Sequence, residues 1–498
     1  MKLLKRIFSL IIAILIQVPY TSLVTATDDE ASECNCGHNP VAIVSGMHSS
    51  PLFKDDTRVF GMTASAYAKM ISGVVGPLKK VFKDNKWDDF CDNANQYLYE
   101  FLEPVSFNSD GTSKYNITTI TYPRSYDYYL NNELYRSGRA FAADIAEAVG
   151  GDHTFCYVYD WRQSPLINAD GLSQYIQNVK KLTGHQKVSL VGVSMGGTVT
   201  LSYLYKYGYN DISNITMVSS AFTGTHIVGD LLSGKVEIDK DAVIRFIKQL
   251  FVNFESLEKP VQSLIKKLNS IGFFDYIIPF MQGYFVESYN RLFDEILKPV
   301  FAYMPGVWGL IASEEYENCK DFVLGDNGNE SFEKLVDEYH YNVQLNGQNL
   351  LQRAKDLGIP VAVVSNYNSQ GMPVIKHSGD HNDTIIDTAH SSGGATVADI
   401  DKSFGGSYNQ VINDGHNHIS CDRAIDASTC MFPESTWFIK NLQHIRYPVY
   451  GNTNDFIVWL VTADKQYSVF DNKKYPQFLY YDTENHNLIP LVEGSLVK

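Results

Sequence analysis

The stretch from Lys187 to Tyr207, KVSLVGVSMGGTVTLSYLYKY, decides the fold prediction. Its first five residues form a short run typical of a buried strand, and the residues after Gly197 are typical of a helix. Between them, residues 192–196 fit the Gly-x-Ser-x-Gly pattern of a nucleophile elbow, a tight strand-to-helix turn that exposes a serine hydroxyl. Glycine is needed at both ends because a side chain there would collide with neighbouring backbone. The stretch therefore predicts that Ser194 is a nucleophile.

Short apolar runs elsewhere in the chain predict the strands of one sheet. They lie at residues 41–44, 154–159, 215–219, 360–365 and 408–412. Strand-like and helical segments alternate from about residue 40 to residue 445, which is typical of an α/β fold with a parallel sheet. Together with the elbow, this order predicts an α/β-hydrolase with a central, mostly parallel sheet.

The predicted hydrolase domain spans residues 27–445 and contains one helical insertion. Residues 228–304 are rich in apolar side chains at helical spacing, such as Ile244, Ile247 and Phe251, and predict an inserted helical cap or lid. The alternative is that these helices belong to the ordinary core of the sheet. Residues 446–498 are predicted to be an aromatic, strand-rich C-terminal extension.

The N-terminus has the pattern of a secretory signal peptide. Lys2, Lys5 and Arg6 precede an apolar run at residues 7–18, and small residues suit cleavage after Ala26. A retained membrane anchor is the alternative, but the run is shorter than the roughly 20 residues needed to span a bilayer. We therefore expect no transmembrane segment after signal removal, and a secreted protein or one in an endomembrane or lysosomal lumen.

Export suggests covalent modifications. The seven cysteines predict disulfides in an oxidising compartment, with Cys421–Cys430 the preferred pair and Cys156 a buried thiol. Four Asn-x-Ser/Thr sequons predict surface glycosylation, at Asn116, Asn214, Asn329 and Asn382.

The net charge of the chain limits the classes of partner that it is expected to bind. The formal net charge is -15 and there is no basic patch, so nucleic acid is excluded as a partner. We found no ligand cluster with metal spacing, and the sequence predicts neither a metal nor another cofactor.

A serine nucleophile needs a histidine base and a carboxylate that orients it. In this fold they follow in the order Ser, Asp, His. We predict His418 as the base, because it lies in a glycine-bearing loop after the run at residues 408–412; His416 is the alternative. We predict Asp383 as the acid because it precedes a turn-like Thr-Ile-Ile sequence, with Asp380 and Asp387 as alternatives.

The same fold stabilises the developing oxyanion with two backbone N–H groups. One belongs to the residue after the nucleophile, here Met195, and the other to a loop after an early strand. The loop Ser45-Gly46-Met47 follows the first predicted strand. We therefore predict that the N–H groups of Met47 and Met195 form the oxyanion hole.

Several blocks, in order, resemble the lecithin:cholesterol acyltransferase family and its lysosomal phospholipase A relatives. They are residues 40–51, the Tyr-Asp-Trp-Arg sequence at 159–162, the elbow, residues 221–234 and residues 303–311. The resemblance covers about residues 40–445. It departs from the family at the acid motif, where Gly394 occupies the acid position, and at the lid, where Cys91 is the one clear counterpart of a cysteine pair. Asp160 and Arg162 are predicted to form a structural buried ion pair.

The resemblance implies a serine lipid hydrolase or acyltransferase that works through an acyl-enzyme on Ser194. Its substrate would be a phospholipid or neutral lipid at a lipid–water interface. Two alternatives stay open: a soluble carboxylesterase for short-chain esters, and a secreted lipid-binding pseudohydrolase, suggested by the displaced acid.

Overall fold

The computed structural model describes residues 34, 36–61, 87–130, 141–251, 255–325, 328–444 and 452–493. The predicted signal peptide at residues 1–26 lies outside these ranges. The longer α-helices are Trp87–Leu102, Ala142–Val149, Pro165–Thr183, Gly196–Tyr207, Lys240–Phe251, Glu255–Ser270, Phe273–Leu292, Tyr316–Val323, Glu330–Tyr339, Gly347–Asp356 and Thr453–Val461. Shorter ones are His226–Leu232, Pro305–Trp308 and Thr388–Ser391, and π-helices span Phe293–Phe301 and His340–Gln344.

The main sheet has eight strands, seven of them parallel. Its strands are β1 (Val41–Val44), β5 (Thr154–Tyr157), β6 (Val188–Val193), β7 (Ile212–Val218), β8 (Val361–Tyr367), β11 (Thr436–Lys440), β12 (Phe478–Asp482) and β13 (Asn487–Pro490). They lie side by side in the order β5, β1, β6, β7, β8, β11, β12, β13, and only β13 runs antiparallel to its neighbour. The predicted α/β-hydrolase class is confirmed.

Two small sheets accompany the main one. Strands β2 (Leu52–Lys54), β3 (Thr57–Phe60) and β4 (Ile117–Thr119) form one of them. Strands β9 (Thr396–Val397) and β10 (Ile425–Asp426) form the other, antiparallel, pair.

Both faces of the main sheet are buried, because successive side chains of a strand point to opposite faces. In β1, Ala42 and Val44 join a core with helices Pro165–Thr183 and Gly196–Tyr207. Val41 and Ile43 join a second core with helices Ala142–Val149 and Thr453–Val461. Two helical layers therefore hold the strand ends in fixed positions, which is what a site at those ends requires.

One strand prediction is wrong and one strand was missed. Residues 408–412 form no strand, and Val411 is 73% exposed in a loop. The strand on that side of β8 is β11, whose Trp437, Phe438 and Ile439 are fully buried. The exposed run at residues 408–412 has the apolar composition of a strand but forms no strand, whereas β11 pairs with β8 in the main sheet.

The predicted insertion is helical, with helices Lys240–Phe251, Glu255–Ser270 and Phe273–Leu292. Ile244, Ile247, Ile265 and Phe274 form a small apolar cluster of their own. Residues 240–292 therefore pack partly on themselves, and we call them the cap helices.

Residues beyond 446 include β12, which pairs with β11, and β13, which pairs with β12 at the edge of the main sheet. The central sheet therefore continues into the predicted C-terminal extension. Among the described residues, no helix has the length and apolar character required to cross a bilayer.

Three of the predicted modifications, one disulfide and two glycosylation sites, need correction. Cys421 and Cys430 both carry free thiols, so they do not form the preferred disulfide. Asn214 and Asn382 are only 2% and 3% exposed, which makes both wrong as surface glycosylation acceptors. Asn116 is exposed and keeps its prediction. Cys156 is fully buried in β5, as expected for an apolar strand.

Candidate active site

Ser194 lies at the carboxyl end of β6, in the turn that leads into helix Gly196–Tyr207. Its φ angle is +55°, a left-handed conformation that costs a non-glycine residue on the order of 1–3 kcal/mol. Backbone hydrogen bonds hold it there: Ser194 N–H donates to the carbonyl of Val218, and Ala221 N–H donates to the carbonyl of Ser194, both at 3.1 Å. This is the geometry predicted for the elbow.

Gly196 allows the helix to approach β1. A Cβ atom at this position would lie 2.1 Å from the carbonyl oxygen of Val44, a backbone atom that has no room to move. Any side chain would push the helix away from the sheet and displace the neighbouring serine. The sequence requirement for glycine at this position thus has a specific steric cause.

Ser194 faces the imidazole of His444, which in turn faces Asp383. Ser194 Oγ is 2.9 Å from His444 Nε2, and His444 Nδ1 is 2.7 Å from Asp383 Oδ2. An ionised carboxylate can only accept hydrogen bonds, so the proton of the neutral imidazole lies on Nδ1 and Nε2 keeps a lone pair for the hydroxyl. This chain of contacts, which we call the Ser194 network, can move a proton from serine to histidine.

Asp383 is held rigidly by its own turn. Its Oδ1 accepts hydrogen bonds from the N–H groups of Ile385 at 3.1 Å and Ile386 at 2.8 Å. Its carbonyl accepts the N–H of His444 at 2.5 Å, and the side chain is fully buried. The turn leaves Oδ2 free to bind the imidazole and fixes the distance between the two residues.

The structure brings His444, and not the predicted His418, to Ser194. Both ring nitrogens of His418 are engaged elsewhere, Nδ1 with Gln477 Oε1 at 3.0 Å and Nε2 with Asp414 Oδ2 at 3.2 Å. The alternative, His416, is exposed and stacks on Phe470 with ring centroids 3.8 Å apart. Neither histidine contacts Ser194 in the described residues.

The error follows from the wrong strand. His418 was chosen because it follows the run at residues 408–412, but that run is a loop. The strand next to β8 is β11, and four residues after its end comes His444. The apolar, aromatic run at residues 437–439 was the signal that would have found it.

Asp387, the alternative acid, belongs to a second cluster, which we call the Asp387 network. Its carboxylate lies 3.6 Å from His226 Nδ1 and 3.5 Å from His390 Nδ1. The other nitrogen of each ring lies 3.1 Å from Glu314 Oε1. Asp380, the third candidate, also faces His226 Nδ1, at 3.2 Å. Neither alternative carboxylate binds His444.

The carboxylates of the Asp387 network favour protonated histidines. Burial by itself lowers the pKa of His226 and of His390. The hydrogen bonds from His226 to Asp380, Asp387 and Glu314 raise its pKa to about 12, and those from His390 to Asp387 and Glu314 raise its pKa to about 9. Burial opposes ionisation of Asp387, yet the two histidines hold its pKa well below the usual range. The network is thus a set of ion pairs around two buried histidines, in which Asp387 is buried and Glu314 is half-exposed.

The predicted oxyanion loop lies against the nucleophile. A Cβ atom at Gly46 would be 2.9 Å from Ser194 Cβ and 3.3 Å from its Oγ. Met47 follows directly, as the first residue of a 3₁₀ turn after β1. Met195 lies between Ser194 and the helix that begins at Gly196. Met47 and Met195 therefore both lie in backbone segments next to Ser194, and their role as oxyanion-hole donors remains a prediction.

Asp160 and Arg162 form the ion pair that the sequence predicts. Arg162 Nη2 is 2.6 Å from Asp160 Oδ2, and Nε is 2.9 Å from Oδ1. Arg162 is fully buried, and its Nη1 also donates to the carbonyl of Val105 and to Ser113 Oγ. These contacts brace the loop after β5.

Comparison with known proteins supports the resemblance stated above. Residues 149–245, which include the Tyr-Asp-Trp-Arg sequence and the elbow, match the family model "Lecithin:cholesterol acyltransferase". No curated protein is significantly similar to the chain.

One solved structure with detectable similarity is titled "The crystal structure of Tle4-Tli4 complex". The two chains are 16% identical, and the similarity covers 39% of this chain and 48% of that one. The TM-score is 0.21, which is too low to support a conclusion about fold or function.

Proposed function

We propose that the chain is a serine lipid hydrolase or acyltransferase related to the lecithin:cholesterol acyltransferase family, and the match to that family's model over residues 149–245 supports this proposal. The family acts on lipid substrates. The finer proposal is that Ser194 cleaves acyl ester bonds of a phospholipid or neutral lipid through a covalent acyl-enzyme. The protein is proposed to be secreted or lumenal, as is typical of the family.

The chemistry uses the Ser194 network in two steps. In the first, Ser194 Oγ attacks the ester carbonyl while His444 Nε2 takes its proton, and Asp383 stabilises the imidazolium. The N–H groups of Met47 and Met195 stabilise the oxyanion, and His444 then gives the proton to the departing alcohol. In the second, water or an acceptor alcohol attacks the acyl-enzyme by the same route and releases Ser194.

The observation that carries this proposal is the continuous contact from Ser194 Oγ through His444 to Asp383, at 2.9 Å and 2.7 Å. The pseudohydrolase alternative rested on a displaced acid. A buried carboxylate oriented on the imidazole removes that reason, because the acid function is available at position 383 although the family motif is absent.

The cap helices offer a surface for contact with lipid. Ile271 and Tyr276 are 69% and 78% exposed, and Leu264 and Val286 are also exposed in the cap helices.

The cap helices are also connected to the Ser194 network. Gln249 exchanges hydrogen bonds with Gln370, which follows Ser369, and Ser369 N–H donates to the carbonyl of Asn382, next to Asp383.

The serine mechanism is tested by covalent labelling. We expect a fluorophosphonate probe to label the purified wild-type chain, and Ser194→Ala and His444→Gln to abolish labelling. Ser420→Ala, which changes a buried serine away from this network, is the matched control and retains labelling. If the folded wild-type chain fails to react, the protein is a pseudohydrolase and the proposal is wrong.

The substrate class needs a second assay, with long-chain phosphatidylcholine vesicles, a soluble short-chain ester, and a labelled alcohol acceptor. We expect ester cleavage to rise sharply when the lipid is aggregated, with products as free fatty acid, transferred acyl ester or both. Activity confined to the soluble ester would instead support the carboxylesterase alternative.

A further inference from the structure

Four side chains with metal-binding atoms meet at the end of the sheet opposite Ser194. They are Cys34, Cys36, His153 and His185, and one ligand atom from each lies within 4.8 Å of all the others. The cysteines precede β1, His153 directly precedes β5, and His185 lies between helix Pro165–Thr183 and β6. Strands β5, β1 and β6 are adjacent and parallel, so the ligands gather where all three begin.

The distances among these atoms are short and similar. The Nε2 atoms of His153 and His185 are 3.2 Å apart. His153 Nε2 is 3.6 Å from Cys34 Sγ and 3.5 Å from Cys36 Sγ, and Cys36 Sγ is 3.3 Å from His185 Nε2. Two sulfurs and two imidazole nitrogens therefore surround one point.

These separations match those expected between the ligand atoms of a tetrahedral zinc site. With Zn–N near 2.0–2.1 Å and Zn–S near 2.3 Å, a tetrahedral site places two nitrogens about 3.3 Å apart and a nitrogen about 3.6 Å from a sulfur. The observed separations of 3.2 Å and 3.3–3.6 Å agree with both values.

Hydrogen bonding alone does not account for the cluster. His153 Nδ1 is 2.8 Å from Asp152 Oδ1, and because a carboxylate only accepts, Nδ1 carries the proton. The Nε2 lone pair of neutral His153 then points at the two sulfurs and at a second imidazole nitrogen. A carboxylate on the outer nitrogen of a histidine, with the inner lone pair aimed at a common point, is the usual arrangement around a bound metal.

We propose that Cys34, Cys36, His153 and His185 bind one Zn²⁺. Two thiolates balance the charge of the ion, and two cysteines with two histidines favour zinc in tetrahedral geometry. Four protein ligands leave no position for a substrate, so the site is structural. The ion would fasten the segment before β1 to the starts of β5 and β6, far from the chemistry at their carboxyl ends.

The metal content of the purified full-length chain tests this proposal. We expect about one zinc per chain by elemental analysis, and a native mass higher by one zinc less the protons it displaces. Cys36→Ser and His185→Ala should lose the zinc. His38→Ala, two residues from Cys36, and Cys421→Ser, a thiol outside the cluster, are matched controls that should retain it.

Cobalt replacement reports the ligands without relying on variants that fail to fold. After zinc is removed and Co²⁺ added, two thiolates in a tetrahedral site give strong visible d–d bands and a thiolate-to-cobalt charge-transfer band. We also expect chelation to lower the melting temperature by on the order of 5 °C, since metal binding is coupled to folding.

The proposal is overturned if the folded, reduced wild-type chain binds neither Zn²⁺ nor Co²⁺, or if native mass shows a Cys34–Cys36 disulfide that persists on zinc addition with reductant. Fluorophosphonate labelling of Ser194 is independent of these readouts. Loss of zinc with labelling intact, or the reverse, therefore separates failure of this proposal from failure of the proposed function.

Discussion

Asp383 and Asp387 are four residues apart on one loop, both buried and both bound to histidine, yet they belong to different kinds of site. Asp383 binds one nitrogen of His444, whose other nitrogen faces the hydroxyl of Ser194. Asp387 lies between His226 and His390, whose opposite nitrogens face Glu314.

The difference shows that the partner on the far side of the ring determines what a histidine can do. A ring with a carboxylate on one side and a hydroxyl on the other keeps a lone pair and can accept a proton. A ring with carboxylates on both sides is stabilised in its protonated form, as the raised pKa values of His226 and His390 indicate. The Ser194 network is therefore suited to catalysis and the Asp387 network to holding loops together.

The largest expected effect comes from replacing the histidine of the Ser194 network. We expect His444→Gln to lower kcat/KM for ester cleavage by about 10⁴-fold or more, because serine loses its proton acceptor. His418→Gln is the matched control and should stay within about threefold of wild type in steady-state kinetics. If instead His418→Gln abolishes activity and His444→Gln does not, the assignment of the base is wrong.

The two aspartates should separate activity from stability. Asp383→Asn should lower kcat by about 10³- to 10⁴-fold with little change in melting temperature, because the imidazole loses its orienting carboxylate. Asp387→Asn removes the buried counter-charge that His226 and His390 share and leaves them facing only partly exposed carboxylates, so it should lower the free energy of unfolding by about 3–5 kcal/mol. Denaturant unfolding measures the free energy of unfolding of each variant, and kinetics on the folded fraction measure its kcat. If the two variants lose activity and stability to the same extent, the proposed difference between the two aspartates is wrong.

The Asp387 network also predicts how stability depends on pH. His390 has a pKa of about 9 in the folded chain against 6.5 as the unperturbed value. A raised pKa gives stability that is complete below pH 6.5 and lost as pH rises to about 9. The loss for His390 is on the order of 3 kcal/mol, since each pKa unit is worth about 1.4 kcal/mol.

The carboxylate side of the network acts in the opposite direction. The pKa of Asp387 is lowered, so its contribution is present above its unperturbed value of 3.8 and is lost as pH falls further. Denaturant unfolding between pH 6 and pH 9 measures the alkaline loss, and His390→Gln should reduce its slope. A wild-type stability that is flat across this range would contradict the ion-pair interpretation.

Local sequence was informative where the chemistry and the backbone turn lie in the same few residues. The elbow at residues 192–196 contains its own steric requirement, and the turn after Asp383 supplies two N–H groups to the carboxylate. His444 has no such local signature. It could be found only by recognising β11 as the neighbour of β8, and the exposed run at residues 408–412 had the same apolar pattern as a strand.

The proposed zinc ligands show the same limit more strongly. Cys34 and Cys36 are separated from His153 and His185 by more than a hundred residues of sequence, so no spacing rule connects them. Parallel pairing of β5, β1 and β6 brings their starts together. The sequence predicted no metal site because ligand spacing along the chain can identify only ligands that are close in sequence.

The amino-acid sequence by itself determined the fold class, the elbow and the family resemblance, because each depends on a short run whose periodicity or steric demand is local. Tertiary structure alone decided which histidine faces Ser194, which carboxylate faces that histidine, and which thiols meet which imidazoles. Those choices depend on strand order, since parallel strands bring residues far apart in the chain to one edge of a sheet.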